Sequence, residues 1–550
     1  MSITPDATPV APRRRPALAV ARARVSALRT WLQTTEIQPV RLVETHISWV
    51  LLTDTLAYKI KKPVHLPFLD FSTLAARRRY CGEELRLNRR LAPSLYLDVV
   101  EIRNSPDGPR FGGVGRVLEV AVRMRRFPDG ALWSEKLAAG SLTPLNIDAL
   151  AQRLSDFHRD AAVAPRGSAF GSAAVHERVT RRLIDGIEAW RSESASTSVG
   201  VDWPALSTWL IKEQQALAAQ WEVRRREGRV RECHGDLHLA NVVQLGLEST
   251  AFDGVEFDAE LRWIDVLDDL AFPAMDLLAH GQRGLAFRLV NAYLAASGDY
   301  DGLPALRFHM VCRALVRAQV TAIGQGQGVH SAARCGPAEY LALASDLSSS
   351  ADARLAITHG LPGSGKSFVS QGLLEEAEAI RVRSDVERKR LFGLGALQSS
   401  HQLAGGIYDA ATTVRTYARL RTVAQVALGA GWPVVVDAAF LRRSERADFA
   451  ALSASMSLPF SIIDCRAESP LLRQRLEQRH AKGADPSEAD VAVLERLSRL
   501  DESLDDHEGE IAIVVDAAQP QPLASIAQRW LAAGSDAAKS DRAGPRESTG

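Results

Sequence analysis

The period of the apolar and polar positions changes along the chain, and the change predicts where one kind of structure replaces another. Between residues 41 and 124, short apolar runs are separated by turn residues, which is typical of strands. One helical stretch lies among them at residues 73–91, with Cys81, Glu84, Leu87 and Leu91 on one face. The predicted strands are residues 47–52, 57–61, 99–102 and 118–124. We therefore expect a small strand-rich lobe with one long helix.

The pattern is mainly helical from residue 130 to residue 347, and from residue 354 onward apolar strands alternate with helices. Such alternation predicts a parallel sheet covered on both faces. The predicted helices are residues 148–158, 176–190, 204–226, 265–280, 284–296, 306–323 and 338–347. The predicted strands of the last part are residues 354–358, 379–383, 433–438, 460–464 and 511–515.

The two ends and one serine-rich stretch set the expected domain boundaries. The first residues are rich in Pro, Ala and Arg, and the last are rich in Ser, Asp, Lys and Gly, so both ends are expected to be disordered. The expected organisation is a disordered arm (1–34), an α+β domain (35–347), a linker (348–353), an α/β domain (354–532) and a disordered tail (533–550).

Composition narrows the class of protein. Of the 550 residues, 46% are hydrophobic and 24% are charged, which is ordinary for a globular chain. The net charge of +1 argues against a nucleic-acid or anionic-membrane partner, and no apolar run is long enough to span a bilayer. The five cysteines are scattered without a C-x-x-C pair, which argues against a disulfide framework or a zinc site and indicates the cytoplasm.

One segment has the spacing of a kinase catalytic loop. His234-Gly-Asp236 is followed five residues later by Asn241, and Asp253 comes twelve residues after that. In such a loop an Asp takes the proton of the acceptor hydroxyl, and an Asn and a second Asp hold Mg²⁺. The chemistry requires ATP. We therefore expect Asp236 to be a catalytic base and Asn241 and Asp253 to be metal ligands.

A second nucleotide site is predicted by G-x-x-x-x-G-K-S between a strand and a helix. The loop contains Gly360, Gly363 and Gly365, followed by Lys366 and Ser367. Backbone N–H groups of such a loop and the helix that follows bind phosphates. The Lys side chain reaches the β- and γ-phosphates, and the Ser hydroxyl ligates Mg²⁺. The pattern indicates an ATP·Mg²⁺ site.

Other residues of this last part have positions that suit phosphoryl transfer. Asp437 ends an apolar strand, where a carboxylate can act at the metal, and Asp385 follows the second strand as a candidate base. Arg388, one helical turn on, is placed to hold an anionic acceptor. Arginines on a later helix have the spacing of a lid, and a solvated helix face is the alternative. These arginines are Arg473, Arg475 and Arg479.

The His234–Asp253 pattern resembles the aminoglycoside phosphotransferase family, which has a protein-kinase-like fold with HGD in the catalytic loop. The resemblance implies that Lys59 pairs with the α- and β-phosphates and that Glu84 holds this lysine. Lys61 is the rival of Lys59 because it lies on the same strand face, and Glu83 is the rival of Glu84.

This sequence departs from the family pattern in two places. No glycine-rich loop precedes Lys59, because residues 44–48 (ETHIS) take its position, and Asp253 is followed by Gly-Val-Glu256. Glu256 is a further metal-shell carboxylate or a structural one. Five acids after Asp253 either line an acceptor pocket or brace the loop and cap helices. They are Asp258, Glu260, Asp265, Asp268 and Asp269.

Residues 352–532 resemble P-loop kinase-like ATPases of the polynucleotide-kinase, gluconate-kinase and zeta-toxin type, through GLPGSGKS, Ser384-Asp385 and VVVDAAF. The chain from about residue 35 to residue 532 is also similar to bacterial fusions of an aminoglycoside phosphotransferase with an ATP-binding protein. Blocks such as YKIKKP, at residues 58–63, and LNRRL, at residues 87–91, carry this match. The implied fold is a bilobal protein-kinase-like α+β domain followed by an α/β P-loop domain.

Three functions agree with these patterns. The first is an ATP- and Mg²⁺-dependent phosphotransferase that modifies a small-molecule hydroxyl and has a second, P-loop kinase site. The second is a pseudokinase binding module fused to a nucleotide-sensing ATPase, which the missing glycine-rich loop favours. The third is a P-loop kinase that acts on nucleic-acid ends, against which the net charge of +1 argues. The acceptors and the oligomeric state are left open by the sequence.

Overall fold

The computed structural model describes residues 14–66, 69–193, 200–326, 335–400, 407–482, 487–519 and 521–533. In this part of the chain no helix is both long enough and apolar enough to cross a bilayer. The predicted disordered tail from residue 534 onward lies outside the described residues.

The elements follow one another in this order along the chain. The first group is α1 (Arg14–Gln33), β1 (Arg41–Glu44), β2 (Ser48–Leu52), β3 (Leu56–Lys61), β4 (His65–Leu66), β5 (Leu69–Asp70), α2 (Leu74–Asn88), β6 (Tyr96–Ser105), β7 (Gly108–Phe111), β8 (Val117–Arg125) and α3 (Trp133–Ala138). The next is α4 (Pro144–Asp160), α5 (Ala173–Glu193), α6 (Trp203–Ala216) and α7 (Ala218–Arg226). Then come β9 (Val230–Glu232), β10 (Val242–Leu245), β11 (Glu248–Ala251), α8 (Ala259–Arg262), β12 (Trp263–Asp265), α9 (Val266–Ala279), α10 (Arg283–Ser297), α11 (Leu303–Gly326) and α12 (Pro337–Ser349). The last group is β13 (Leu355–His359), α13 (Lys366–Glu376), β14 (Ile380–Arg383), α14 (Ser384–Arg390), α15 (Ala410–Gly429), β15 (Val434–Asp437), α16 (Arg443–Ser455), β16 (Phe460–Arg466), α17 (Ser469–Lys482), α18 (Val491–Ser498), α19 (Asp506–Glu510), β17 (Ala512–Asp516) and α20 (Leu523–Ala532).

The chain divides into two compact units. The amino-terminal unit contains Met1–Leu142, Ala161–Pro165 and Val230–Ile264, and the carboxyl-terminal unit contains Thr143–Asp160, Arg166–Arg229 and Asp265–Gly550. The helices α4–α7 and α9–α12 therefore share a unit with the P-loop. The division does not fall at residues 348–353, where the sequence predicts a linker.

An antiparallel sheet forms the core of the amino-terminal unit. Its strands lie in the order β1-β2-β3-β8-β6-β7, and α2 packs on one face of it. On the other face lies α1, whose buried Val25, Leu28 and Leu32 pack against Trp49 and Ile60. The prediction of a disordered arm over residues 1–34 is therefore wrong for residues 14–33. An apolar stripe with helical spacing outweighs the Pro- and Arg-rich composition, because it can be buried on the sheet.

Helix α2 runs from Leu74 to Asn88, within the predicted residues 73–91, and it ends before the predicted Leu91. Thr73 caps its first turn by accepting a hydrogen bond from the N–H of Ala76 at 3.1 Å. Cys81, Glu84 and Leu87 are buried on one side. The helix is thereby held against the sheet with a carboxylate on its inner face.

The carboxyl-terminal unit contains the parallel sheet that the alternating pattern predicts. Five strands lie in the order β14-β15-β13-β16-β17, and each pair is parallel. β13 is central and fully buried, and it leads directly into the glycine-rich loop and α13. The carboxyl ends of parallel strands meet at one edge of the sheet, which is where ligands bind in such folds.

A side chain of α10 makes hydrogen bonds to the backbone at the edge strand β14. Asn291 Nδ2 donates to the carbonyl of Ala379 at 2.9 Å, and the N–H of Arg381 donates to Asn291 Oδ1 at 2.6 Å. Nearby, Arg288 joins Asp148 and Glu375 in ion pairs of 2.6 and 2.8 Å. The helices and the parallel sheet are therefore joined by polar contacts as well as by packing.

We expect acidification to destabilise the carboxyl-terminal unit through His176. Its ring stacks on Trp221 with centroids 3.9 Å apart, and burial, with a contribution from His309, lowers its pKa to about 4. Asp265 and Asp268 raise this pKa, Arg313 lowers it further, and burial outweighs the two carboxylates.

The unfolded chain takes up this proton near pH 6.5, and the folded chain takes it up only near pH 4. The free energy of unfolding should therefore fall by about 2–3 kcal/mol as the pH drops from 6.5 to 4. Urea unfolding of wild type and His176→Phe at several pH values measures this. Parallel losses in the two proteins would contradict the assignment to His176.

Candidate functional site

Two lysines and three carboxylates form a buried cluster in the amino-terminal unit. Lys59 and Lys61 project from the same face of β3, as strand alternation predicts. Glu84 of α2 contacts both, at 2.9 Å from Lys59 Nζ and 2.7 Å from Lys61 Nζ. Lys59 also pairs with Asp253, and Lys61 also pairs with Glu256. The rival candidate Glu83 instead pairs with Arg86, at 2.6 Å.

The cluster shifts the pKa of its members in opposite directions. Burial opposes the charge of Lys59, but the carboxylates of Asp253 and Glu84 outweigh burial and hold the pKa of Lys59 well above its ordinary value. Burial alone would raise the pKa of Glu84, yet Lys59 and Lys61 lower it to about 2. Burial raises the pKa of Glu256. Both lysines are thus charged at neutral pH, and Glu84 is a carboxylate.

The predicted catalytic loop presents a partly exposed carboxylate. The side chain of Asp236 is 41% exposed, and its Oδ2 accepts a hydrogen bond of 3.2 Å from Asn241 Nδ2. The ring of His234 fixes the loop, because its Nδ1 accepts from the N–H of Asp236 at 3.3 Å and its Nε2 lies 2.9 Å from the carbonyl of Phe252. Nε2 must therefore carry the proton and Nδ1 must lack one, so the ring is neutral. His234 therefore has a packing and hydrogen-bonding role in this loop.

The segment around Asp253 is turned by an unusual backbone conformation and held by two residues near α2. Asp253 has φ +64°, in the left-handed region that side chains other than Gly seldom adopt. Its N–H donates to the hydroxyl of Tyr96 at 3.0 Å, and the N–H of Gly254 donates to Asn88 Oδ1 at 2.8 Å. The carboxylate of Asp253 stays 39% exposed. Asn88 and Tyr96 thus maintain the turn that aims the predicted metal ligand.

The position of the missing glycine-rich loop is taken by a tight turn between β1 and β2. The N–H of Ser48 donates to Thr45 Oγ1 at 3.0 Å, and Lys62 pairs with Glu44 at 2.8 Å and also donates to the carbonyl of Thr45. Side-chain bonds therefore shape this turn in place of glycines.

Four of the five acids that follow Asp253 are engaged in structural contacts. Asp258 caps α8 by accepting from the N–H of Glu260 at 2.8 Å. Asp265 caps α9 and pairs with the buried Arg224 at 2.6 Å. Asp268 pairs with Arg313 at 2.8 Å, and Asp269 lies 3.0 Å from His158. Of the two alternatives that the sequence leaves open, bracing and capping is the one these contacts support.

The P-loop has the backbone that its glycines are expected to allow. Gly360, Gly363 and Gly365 have φ values of +133°, +87° and +102°. A Cβ at Gly360 would lie 2.4 Å from the carbonyl oxygen of Cys465, so no other residue fits there. Lys366 Nζ donates to the carbonyl of Leu361 at 2.8 Å, and Ser367 is exposed at the start of α13. Burial lowers the pKa of Lys366, and the opposing effect of the Asp437 carboxylate is smaller.

Two carboxylates predicted for this site lie beside the loop. Asp437 is buried at the end of β15, where its Oδ2 accepts a 3.0 Å hydrogen bond from Ser370 of α13. Asp385 lies half-buried in the first turn of α14, directly after β14. Its charge is among those that act on Lys366. Both carboxylates therefore lie at the edge of the sheet where the P-loop begins.

The predicted cations have different surroundings. Arg475 Nη1 donates to the carbonyl of Gly363 at 3.1 Å and so reaches the P-loop. Arg479 donates to the carbonyl of Ala489 at 2.7 Å. Arg473 pairs with Glu495 on the surface, and Arg388 lies over the ring of Tyr408, 5.2 Å from its centroid. Of the three arginines predicted for a lid, Arg475 contacts the P-loop.

Sequence reasoning missed four residues at these sites. Tyr96 and Asn88 hold the Asp253 turn, and Asn88 belongs to the LNRRL block that carried the family resemblance. Arg383 Nε lies 3.6 Å from Asp437, and Arg381 Nη1 lies 3.5 Å from the carbonyl of Ser367. The alternation Ile-Arg-Val-Arg in β14 was the available signal, because it places both arginines on one face.

Comparison with known proteins gives a family match in the carboxyl-terminal part and relatives along most of the chain. A family described as an AAA domain matches residues 355–502. Uncharacterized proteins of Mycobacterium tuberculosis and Mycobacterium bovis are each 29% identical over 451 residues, which cover 82% of this chain and 88% of theirs.

Similar solved structures fall into two groups. A gluconokinase from Sinorhizobium meliloti is 22% identical and covers 34% of this chain and 96% of its own, with a TM-score of 0.24. A choline/ethanolamine kinase family protein from Mesorhizobium loti is 14% identical and covers 60% of this chain and 91% of its own, with a TM-score of 0.35. The expected α/β P-loop part is confirmed by the parallel sheet and the family match, and the expected α+β part by an antiparallel sheet packed against helix α2.

Proposed function

We propose that this chain is an ATP-dependent phosphotransferase with two ATP sites. In the first, the γ-phosphoryl group of ATP passes to a hydroxyl group of a small molecule. In the second, the P-loop binds ATP for a kinase reaction in which Asp385 is the base. The observation that carries the proposal is the cluster in which Glu84 holds Lys59 beside Asp253, in the same unit as Asp236 and Asn241.

Each residue of the first site has a chemical task. Asp236 is partly exposed and is oriented by Asn241. It takes the proton of the acceptor hydroxyl while the hydroxyl oxygen attacks the phosphoryl group. Lys59 releases Asp253 and pairs with the α- and β-phosphates, while Glu84 keeps its ammonium group in place. Asp265 and Asp268 are already paired with arginines, which supports an acceptor that is not a polycation.

The residues present fit Mg²⁺. Three carboxylates face two ammonium groups in the buried cluster, and Asp253 keeps an exposed carboxylate at its edge. Oxygen ligands and an excess of negative charge suit a hard divalent cation. Asn241 and Asp253 would hold the ion, which supplies charge neutralisation on the phosphates when it is bound.

The P-loop site would bind the phosphates of ATP and Mg²⁺ with a different set of residues. The backbone N–H groups of residues 360–367 and the start of α13 would hold the phosphates, with Lys366 between them. Ser367 and Asp437 offer oxygen ligands for Mg²⁺. Arg475 lies against the loop and would stabilise charge on the transferring group.

A labelling experiment tests the proposal. Full-length protein is incubated with γ-labelled ATP, Mg²⁺ and a bacterial metabolite extract, and labelled products are separated. Wild type should produce labelled small molecules, and the double variant Asp236→Asn/Lys366→Ala should produce none above the background without enzyme. Equal labelling by the two proteins would refute the proposal.

A pseudokinase fused to a nucleotide-sensing ATPase is the second candidate function. The specific observation in its favour is the β1–β2 turn, which side chains of Thr45 and Lys62 close without a glycine-rich loop. Equilibrium titration of Mg²⁺·ATP separates the candidates. If Lys366→Ala retains one ATP site and the additional change Lys59→Met abolishes it, the kinase is supported. If Lys366→Ala has no ATP site, the pseudokinase module is supported.

A further inference from the structure

Three arginines bind one buried carboxylate next to the catalytic loop. Glu232 ends β9 two residues before His234, and only 5% of it is exposed. Arg86 binds both of its oxygens, at 3.0 and 2.7 Å. Arg90 lies 3.3 Å and Arg262 lies 3.2 Å from it. The pKa of Glu232 is lowered, because the arginines outweigh the effect of burial.

The arginines tie the end of α2 to the strand that leads into the catalytic loop. Arg86 lies in the last turn of α2, and Arg90 lies two residues beyond its end. Arg90 also donates to the carbonyls of Glu232 and Cys233, at 2.6 and 3.3 Å. The end of a helix that carries Glu84 and Asn88 is thus fixed relative to His234. Bidentate arginine–carboxylate pairs are geometrically specific as well as strong.

We propose that Glu232 is a positioning residue that locks α2 in the place where Glu84 holds Lys59 and Asn88 holds the Asp253 turn. The proposal rests on the proposed kinase function of this unit and adds how its parts stay in register. Neutralising Glu232 leaves three guanidinium groups without their shared anion. The end of α2 then loses its fixed distance from the catalytic loop, and Glu84 moves with it.

The chain offers a matched control in another buried ion pair of the same helix. Arg77, in the first turns of α2, binds Glu119 of β8 at 2.9 and 2.8 Å, and both residues are buried. This pair fixes α2 to the sheet and does not involve the catalytic loop. Glu119→Gln therefore removes a buried negative charge that holds the same helix and leaves the contacts of the catalytic loop in place.

The test uses the full-length chain with Lys366→Ala, so that one ATP site remains. Glu232→Gln should raise the KM for Mg²⁺·ATP and lower kcat, so that kcat/KM per folded molecule falls about 100-fold. Glu119→Gln should lower Tm similarly but change kcat/KM less than about threefold. Glu232→Asp, which keeps the charge, should recover part of the activity. Equal kcat/KM values for the two glutamine variants would overturn the proposal.

Amide hydrogen exchange tests the lock without turnover. In Glu232→Gln, the last turn of α2 and residues 233–236 should exchange faster than in Glu119→Gln. Equal protection of these amides in the two variants would overturn the lock. A protein whose turnover does not depend on Asp236, but whose α2 exchanges faster in Glu232→Gln, would instead refute the proposed kinase function and leave the lock supported.

Discussion

Asp236→Asn should lower phosphoryl transfer by the kinase-like site about 10²- to 10⁴-fold, because a positioned general base contributes a factor of this size. The amide of Asn is nearly isosteric with the carboxylate and still accepts from Asn241, so the loop should keep its shape. Only the basic oxygen is lost. Affinity for Mg²⁺·ATP should therefore change little.

Initial rates of labelled product formation in the Lys366→Ala background measure this effect, with ATP affinity measured by titration. Asp98→Asn is the matched control, because Asp98 is a carboxylate of the same unit with 45% exposure against 41% for Asp236. It pairs with Arg123 on the sheet and should leave the rate unchanged. A rate for Asp236→Asn within a factor of two of its parent would exclude Asp236 as the base.

Lys366→Ala should remove turnover at the P-loop site and weaken its ATP binding by about 100-fold or more, since the lost ammonium group acts on phosphate charge in a water-poor site. Its Nζ now donates to the carbonyl of Leu361, which is one weak partner for a cation. Phosphate oxygens would replace that carbonyl. The cost of removing the side chain should therefore fall on binding and catalysis more than on folding.

Titration with Mg²⁺·ATP should give two sites for wild type and one for Lys366→Ala. Lys212→Ala removes an exposed lysine from the same unit and should keep both sites. Two sites of unchanged affinity in Lys366→Ala would contradict the assignment of the P-loop. Labelled products that still form in Asp236→Asn but are lost in Lys366→Ala would be assigned to the P-loop site.

Local patterns predicted the elements whose signal lies within a few residues. The alternation of β3 placed Lys59 and Lys61 on one face, and the helical period of α2 put Glu84 on the buried side. The choice between the two lysines could not be made from the sequence. The structure shows why, because Glu84 contacts both and the partners that differ, Asp253 and Glu256, come almost 200 residues later.

Contacts between distant residues explain the other gaps. Whether Asp265 lines a pocket or braces a helix depends on Arg224, which is 41 residues away in the chain. The helix at residues 14–33 was missed because its stability comes from the sheet that it covers, which composition alone does not reveal. The single helix predicted over residues 204–226 is two helices, which meet at Leu217.

The side-chain pairing of β14 by Asn291 has a consequence for how the protein can be divided for experiments. Cutting the chain at residues 348–353 would remove α10 and leave the free N–H and C=O groups of an edge strand facing water. Unpaired edges of this kind recruit strands from other molecules. An isolated P-loop fragment is therefore expected to self-associate during expression, whereas a fragment that begins near residue 283 keeps its edge covered.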